Sequence, residues 1–117
     1  MFIFENLEAY KRGLELTTGV YKLRRYIVDR IIRDQLFRAV LSIPLNIAEG
    51  QGRFHAREKR QFYNIAKGSL YECLPLIKLC LEIQYITKQQ YEELYEKMNG
   101  VGRVLSGLIK SVKEEGI

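Results

Sequence analysis

The last third of the sequence carries a regular spacing of apolar residues, and this spacing constrains the fold more than any other feature. Seven residues follow one another at alternating intervals of three and four: Tyr91, Leu94, Met98, Val101, Leu105, Leu108 and Val112. Such a period is the apolar stripe of a long α-helix. Thr87 and Gln90 form a capping-box pattern just before it, because each side chain can accept from the other's backbone N–H. The sequence therefore predicts a helix that begins after Thr87.

Three earlier segments show the same helical period, and no strand-like alternation runs for more than a few residues. These segments extend over about Leu7–Ile27, Ile31–Gly50 and Ala56–Gln84. Pro44 and Pro75 lie inside the second and third segments, where each removes one backbone hydrogen bond and should bend its helix. Four helices with short connections predict an all-α fold, an antiparallel up-and-down four-helix bundle that forms a single domain over residues 1–117.

The residues available for chemistry are few, since the chain has one histidine, two cysteines and no tryptophan. This inventory excludes a zinc site built from cysteine and histidine, and it argues against a histidine-based catalytic triad. We therefore expect no enzymatic activity, no cofactor and no metal site.

The two cysteines, Cys73 and Cys80, lie seven residues apart in the third predicted helix. Seven residues rise about 10.5 Å along a helix, which is too far for a disulfide. Free thiols on an apolar helix face are typical of a reducing compartment, so we expect a cytoplasmic protein. The chain start lacks the pattern of a signal peptide, and charges interrupt the most apolar stretch, Ser69–Ile86, so no membrane partner is expected.

Apolar residues surround most of the third predicted helix in its second half. They are Leu70, Leu74, Leu76, Ile77, Leu79, Leu81 and Ile83. A helix in a four-helix bundle needs one apolar stripe, so a second stripe requires a partner that covers it. The sequence therefore predicts self-association into a homo-oligomer.

Charge is unevenly distributed along the chain. Residues 22–67 hold eleven basic and four acidic side chains, a local charge of +7, and the remainder holds eight basic and ten acidic ones, a charge of −2. Such a basic region attracts phosphates, and the rings of Tyr26 and Phe54 can stack on bases. An ordinary basic surface and a docking surface for an acidic protein are the other interpretations. The candidate nucleic-acid contacts are Arg24, Arg25, Arg30, Arg33, Arg53, Arg57, Lys59 and Arg60.

A polar stripe follows one face of the second predicted helix. We interpret it as a hydrogen-bonded seam at a bundle or subunit interface, in which Arg38 and Glu49 pair and Asn46 fixes the register. A solvated helix face is the alternative. Small residues in the third helix indicate close helix contacts. The predicted interface residues are Arg38, Ser42, Asn46, Glu49, Gly68, Ser69 and Glu72.

Two blocks of sequence carry a family resemblance that extends over nearly the whole chain. Residues 35–50 read QLFRAVLSIPLNIAEG and are followed by Gly52 and Arg53, and residues 65–72 read IAKGSLYE. This pattern resembles the small proteins encoded by open reading frames inside intervening sequences of bacterial 23S ribosomal RNA genes. One departure is His55, which stands where many relatives have a serine cap before the third helix.

The resemblance implies an antiparallel four-helix bundle that assembles into a barrel-like homopentamer, in a family with no established enzymatic activity. A more distant similarity is to the accessory protein of diversity-generating retroelements, which implies RNA or DNA and a reverse transcriptase as partners. We therefore expect a non-enzymatic basic scaffold that binds nucleic acid or a nucleic-acid-handling protein. A protein–protein adaptor without direct nucleic-acid contact is the alternative.

Overall fold

Four long helices dominate a computed structural model that describes residues 2–112. They are α1 (Glu8–Tyr21), α2 (Arg30–Gln51), α3 (Ala56–Glu82) and α4 (Lys88–Ser111). Short 3-10 helices at Ile3–Asn6 and Arg24–Tyr26 precede α1 and connect it to α2, and no strand occurs among the described residues. The predicted all-α fold is thereby confirmed. Residue 1 and residues 113–117 of the predicted domain lie outside the described residues.

Side-chain contacts show that adjacent helices run antiparallel. In each adjacent pair, as the residue number rises along one helix, the number of the residue that it contacts on the other helix falls. The pairs that show this are Thr17–Val40 and Tyr21–Phe37, Ser42–Ser69 and Gly50–Tyr63, Leu70–Gly102 and Lys78–Tyr91, and Arg12–Gly100 and Gly19–Leu94. Each helix packs against the next, and α4 closes the bundle against α1. The molecule is elongated, with extents of 53 × 26 × 23 Å.

The start of α4 follows the sequence prediction. The Gln90 backbone N–H donates to Thr87 Oγ1 at 3.1 Å, and the Thr87 backbone N–H donates to Gln90 Oε1 at 2.9 Å. Both halves of the capping box therefore form. Four residues of the predicted apolar stripe are buried along α4, and the other three pack against the same core: Leu94, Met98, Val101 and Leu105, with Tyr91, Leu108 and Val112.

Helix α1 ends at Tyr21, earlier than the apolar period of the first segment indicates. Beyond it the chain turns through the short 3-10 helix, which carries Ile27 back into the core and leaves it 2% exposed. The apolar period continues past the helix because the connection between α1 and α2 also packs against the bundle.

Pro44 lies inside α2, as predicted, and its missing N–H leaves the Val40 carbonyl without its usual helical donor. The Thr17 hydroxyl of α1 lies 3.1 Å from that oxygen and 2.8 Å from the Gly13 carbonyl of its own helix. Gly13 allows this close approach, because a Cβ there would lie 3.2 Å from Ile43 Cγ2. The α1–α2 contact therefore compensates for the proline. The predicted bends at Pro44 and Pro75 stay predictions.

Cys73 and Cys80 are both free and buried in the core. Burial raises the pKa of the Cys73 thiol to about 12, with the charge of Glu72 contributing, and burial raises the pKa of Cys80 to about 11. Both thiols therefore stay protonated and inaccessible in the folded chain, which makes them poor nucleophiles.

We expect both thiols to be unreactive towards Ellman's reagent in the native protein near pH 8 and both to react in concentrated guanidinium chloride. The unfolded thiols ionise near pH 8.5, below their folded pKa values, so the unfolded chain releases its protons first as the pH rises. Stability is therefore retained below about pH 8.5 and falls as the pH rises from there towards the folded pKa values of about 11 for Cys80 and about 12 for Cys73. Urea denaturation across this range measures the loss, and rapid native-state labelling would contradict the packing of these thiols.

Candidate functional site

The eight predicted phosphate contacts separate into two clusters at opposite ends of the bundle. Arg24, Arg25, Arg30 and Arg33 surround the connection between α1 and α2, and we call them the connection cluster. Arg53, Arg57, Lys59 and Arg60 surround the connection between α2 and α3, and we call them the helix-start cluster. From Arg33 to the end of α2 at Gln51, two residues before Arg53, the helix rises about 27 Å. The basic region is therefore not one patch.

The connection cluster holds exposed arginines beside aromatic rings. Arg24, Arg25 and Arg30 are all exposed. The guanidinium carbon of Arg24 lies 5.9 Å from the centre of the Phe37 ring, and that of Arg25 lies 5.0 Å from the centre of the Tyr26 ring. Arg25 Nη2 also donates to the Tyr26 hydroxyl at 2.9 Å. The two guanidinium groups therefore lie over aromatic rings while both arginines stay exposed to solvent.

The two acidic residues of this connection neutralise little of its charge. The Asp29 side chain accepts a hydrogen bond from the Ile32 backbone N–H at 3.0 Å and caps α2. Asp34 lies 3.7 Å from Arg30 Nε, and both side chains of this pair are exposed. An exposed pair of this kind contributes little. The connection cluster therefore keeps a positive surface.

Three of the four cations of the helix-start cluster interact within the chain, and Arg57 is exposed. Arg53 Nη2 pairs with Glu49 Oε2 at 2.9 Å, and its guanidinium carbon lies 4.7 Å from the centre of the Phe62 ring. Lys59 Nζ donates to the Gln51 carbonyl at 3.0 Å and so satisfies the end of α2. Arg60 also has an interaction of its own. This cluster joins α2 to α3, and its charges are less available than those of the connection cluster.

The predicted polar seam forms between α2 and α3. Asn46 Nδ2 donates to both the backbone carbonyl and the Oγ of Ser42 at 2.8 Å, and Ser69 Oγ donates to Ser42 Oγ at 2.9 Å. All three side chains are half-buried. The seam thus links one helix to the next within a single chain.

The other predicted interface residues lie on the outer side of the same helix pair. On α3, exposed residues recur at helical spacing: Ile65, Gly68, Glu72, Leu79 and Ile83. On α2, exposed residues do the same: Arg38, Leu41, Leu45 and Glu49. Together with the seam we call this surface the α2–α3 face. Of the seven apolar residues that predicted a second stripe on α3, Leu79 and Ile83 are exposed on this face, Leu74 is exposed towards α4, and the other four are buried or half-buried.

Two details of the interface prediction are not met within a single chain, and a pairing between copies stays a prediction. Arg38 and Glu49 are eleven residues apart, which is about 16.5 Å along a helix, so they cannot pair with each other. Glu49 pairs with Arg53 instead, one turn further on. Gly68 makes no close helix contact, because a Cβ added there would meet nothing within 4 Å.

A groove between α3 and α4 was not predicted from the sequence. It has a volume of about 330 Å³, and ten residues line it: Lys67, Leu70, Tyr71, Leu74, Tyr95, Met98, Asn99, Gly102, Arg103 and Ser106. The available sequence signal was Lys67 and Tyr71 one turn apart on α3, with Tyr95 and Arg103 two turns apart on α4. That signal gains meaning only once the two helices are placed side by side.

Residues 2–112 contain neither a metal-binding cluster nor a helix that could cross a membrane. No three histidine, cysteine, aspartate or glutamate side chains there come close enough together to hold a metal ion. None of the described helices combines the length and the apolar character needed to cross a membrane.

The family model described as 23S rRNA-intervening sequence protein matches residues 5–107. The chain belongs to this family. Both sequence blocks that carry the resemblance, residues 35–53 and 65–72, lie inside the part matched to the 23S rRNA-intervening sequence protein family.

A solved structure shows the same fold as this family member. It is the 1.70 Å crystal structure of a protein with unknown function from the S23 ribosomal protein family of Bacteroides thetaiotaomicron. It is 23% identical and aligns with a TM-score of 0.83 over 88% of this chain and 99% of that one. At this identity the likeness shows the fold alone. Among curated proteins, none matches this chain.

Proposed function

We propose that this protein is a non-enzymatic, homo-oligomeric helical scaffold that binds nucleic acid through its connection cluster. The observation that carries the proposal is the set of exposed arginines at Arg24, Arg25 and Arg30, beside the Phe37 and Tyr26 rings. Arginine binds phosphate with two parallel hydrogen bonds, and the exposed Tyr26 ring offers a base a surface to stack on, whereas the Phe37 ring already stacks on Tyr21.

Charge availability favours the connection cluster over the helix-start cluster. The connection cluster has one exposed ion pair, at 3.7 Å, whereas Arg53 and Lys59 already bind Glu49 and the end of α2. A phosphate at the helix-start cluster would have to displace these partners. The helix-start cluster is therefore a secondary contact in this proposal.

Self-association through the α2–α3 face completes the proposed scaffold. The exposed side chains of Leu41, Leu45 and Leu79 leave apolar area that a second copy would cover. The face also holds charges of both signs, Arg38 against Glu49 and Glu72, so two copies of it are complementary. The resemblance implies a pentamer, which would repeat the connection cluster five times and strengthen its positive field. Buried free thiols support a cytoplasmic location.

A salt titration of binding to RNA and DNA tests the nucleic-acid part of the proposal. Counterion release predicts that log K falls linearly with log salt, with a slope of about −0.7 to −0.9 for each phosphate contacted. The triple variant Arg24→Ala, Arg25→Ala and Arg30→Ala should therefore flatten the slope by about two to three. Lys11→Ala removes an exposed cation of α1 outside both clusters and is the control, with the slope expected to equal that of wild type.

Two results would count against this function. If neither nucleic acid binds at low salt, the scaffold acts as an adaptor that docks an acidic or RNA-bound protein, such as a reverse transcriptase. The change in slope can be compared per charge removed, one for Lys11→Ala and three for the triple variant. If the two values are equal, binding depends on net charge alone and the connection cluster is not the contact.

A further inference from the structure

The groove between α3 and α4 combines an apolar floor with room for a small planar group. Leu70, Leu74 and Met98 form the floor, and Gly102 lies beside them without a side chain. A Cβ at Gly102 would lie 3.4 Å from Leu70 Cδ2, so the two helices pack closely beneath the groove. A volume of about 330 Å³ is at the lower end of the range for ligand sites in proteins.

Two tyrosine rings stand at the groove and are accessible to a ligand. Tyr71 of α3 is 66% exposed and Tyr95 of α4 is 39% exposed. The antiparallel register places Tyr95 about one helical turn from Tyr71 along the bundle axis. Each ring offers a flat apolar surface, and such surfaces stack on nucleobases with little regard for sequence.

Two cations stand at the other end of the same groove. Lys67 lies one turn before Leu70, and Arg103 directly follows Gly102, which contacts Leu70, so the two charges share one level of the bundle. No carboxylate lines the groove, and within residues 2–112 neither cation has an acidic side chain within 4 Å. The ammonium of Lys67 lies 5.9 Å from the centre of the Tyr71 ring, so charge and ring are adjacent.

We propose that this groove binds single-stranded nucleic acid by stacking bases on Tyr71 and Tyr95 while Lys67 and Arg103 hold the adjoining phosphates. The proposal deepens the proposed function and rests on it, because it adds a base-recognising surface to a scaffold held by phosphate contacts. Asn99 and Ser106 line the groove and supply hydrogen-bonding groups for base edges.

The chemistry of the lining selects this occupant over a protein segment. The larger groove between α1 and α4 shows the contrast, because Glu15 and Glu93 offset two of its three lysines and so weaken its attraction for anions. The α3–α4 groove has cations only, together with exposed rings. Planar rings beside unpaired positive charge complement a base that carries a phosphate.

Three ligands separate base stacking from phosphate contact. The first is a fluorescein-labelled oligouridylate, the second is an abasic strand of the same length and charge, and the third is uridine monophosphate as a competitor. Wild-type protein should bind the base-containing strand roughly tenfold or more tightly than the abasic strand, because two stacked bases are lost in the latter. The monophosphate should compete weakly, since it reaches one ring and one phosphate.

Matched variants test which residues of the groove produce the preference for the base-containing strand. The pair Tyr71→Ala and Tyr95→Ala should remove the preference for bases and leave abasic binding unchanged, whereas Tyr71→Phe and Tyr95→Phe should retain it because the rings remain. Lys67→Ala with Arg103→Ala should weaken both strands equally and flatten both salt slopes by about one to two. Leu14→Ala removes an exposed side chain of α1, outside the groove, both basic clusters and the α2–α3 face, and should change neither measurement.

The outcomes are distinct. Loss of the base preference in the alanine pair alone supports the groove. Equal affinity for both strands in wild type overturns the groove and leaves the connection cluster intact. Failure of both strands to bind overturns the proposed function and the groove together. A monophosphate that competes as well as the strand identifies a free-nucleotide site, and a changed oligomeric state in the alanine pair identifies a protein interface; each overturns the proposal.

Discussion

Replacing Gly50 by alanine is expected to destabilise the bundle by about 1–3 kcal/mol. A Cβ at this position would lie 2.6 Å from Tyr63 Cε1, 2.9 Å from Tyr63 Cδ1 and 3.1 Å from Phe62 Cβ. The Tyr63 ring is 1% exposed and cannot swing into solvent without leaving a cavity. The end of α2 would therefore have to move away from α3. Urea denaturation followed by circular dichroism measures the loss as a lower midpoint.

Gly68→Ala is the matched control for this substitution. Gly68 also lies inside a helix, but a Cβ there would meet nothing within 4 Å. In the monomer we expect the free energy of unfolding to rise by roughly 0.5–1 kcal/mol, because alanine has a higher helix propensity than glycine. If copies associate through the α2–α3 face, the same added methyl should weaken association. A Gly50→Ala variant with the same urea midpoint as wild type would show that the α2–α3 contact is loosely packed.

Local features of the fold were predictable because they depend on residues close in sequence. The capping box of Thr87 and Gln90 spans three residues and forms as expected. The apolar period of α4 identified its core side chains, because a helix presents every third or fourth residue to the same neighbour. The polar seam was found for the same reason, since Ser42 and Asn46 are one turn apart on α2.

Features that depend on how the helices pack could not be predicted from the sequence. Ser69 meets Ser42 across two helices, and the spacing within α2 does not identify that partner. The α3–α4 groove depends on the register that brings Gly102 beside Leu70, and this register follows from how the two helices dock. The separation of the basic region into two clusters follows from the length of α2, which carries Arg33 and Arg53 to opposite ends.

The two clusters differ in role because of what lies beside them. The helix-start cluster stands where α2 ends, and Lys59 supplies the donor that the last carbonyls of that helix lack. The connection cluster stands where α2 begins, and Asp29 already caps that end. The arginines of the connection cluster are therefore not needed to cap α2, and this difference favours that end of the bundle for the proposed function.

Leu45→Asp is expected to convert the assembled protein into monomers at micromolar concentration. Leu45 is 58% exposed on the α2–α3 face, one turn from Leu41 and beside the polar seam. An aspartate there costs the isolated chain little, because its carboxylate stays in water. In an interface the carboxylate would be buried without a partner, which costs about 3 kcal/mol or more, roughly a hundredfold in the association constant for each contact.

Light scattering coupled to size-exclusion chromatography measures this change, and the urea midpoint of the monomer shows that the fold is retained. Leu14→Asp is the control, since Leu14 is 46% exposed on α1, which packs against α2 and α4 and lies away from the α2–α3 face. That variant should keep the assembly of wild type. A wild-type protein that is already monomeric would refute the assembly, and dissociation by Leu14→Asp alone would move the interface to the α1 side of the bundle.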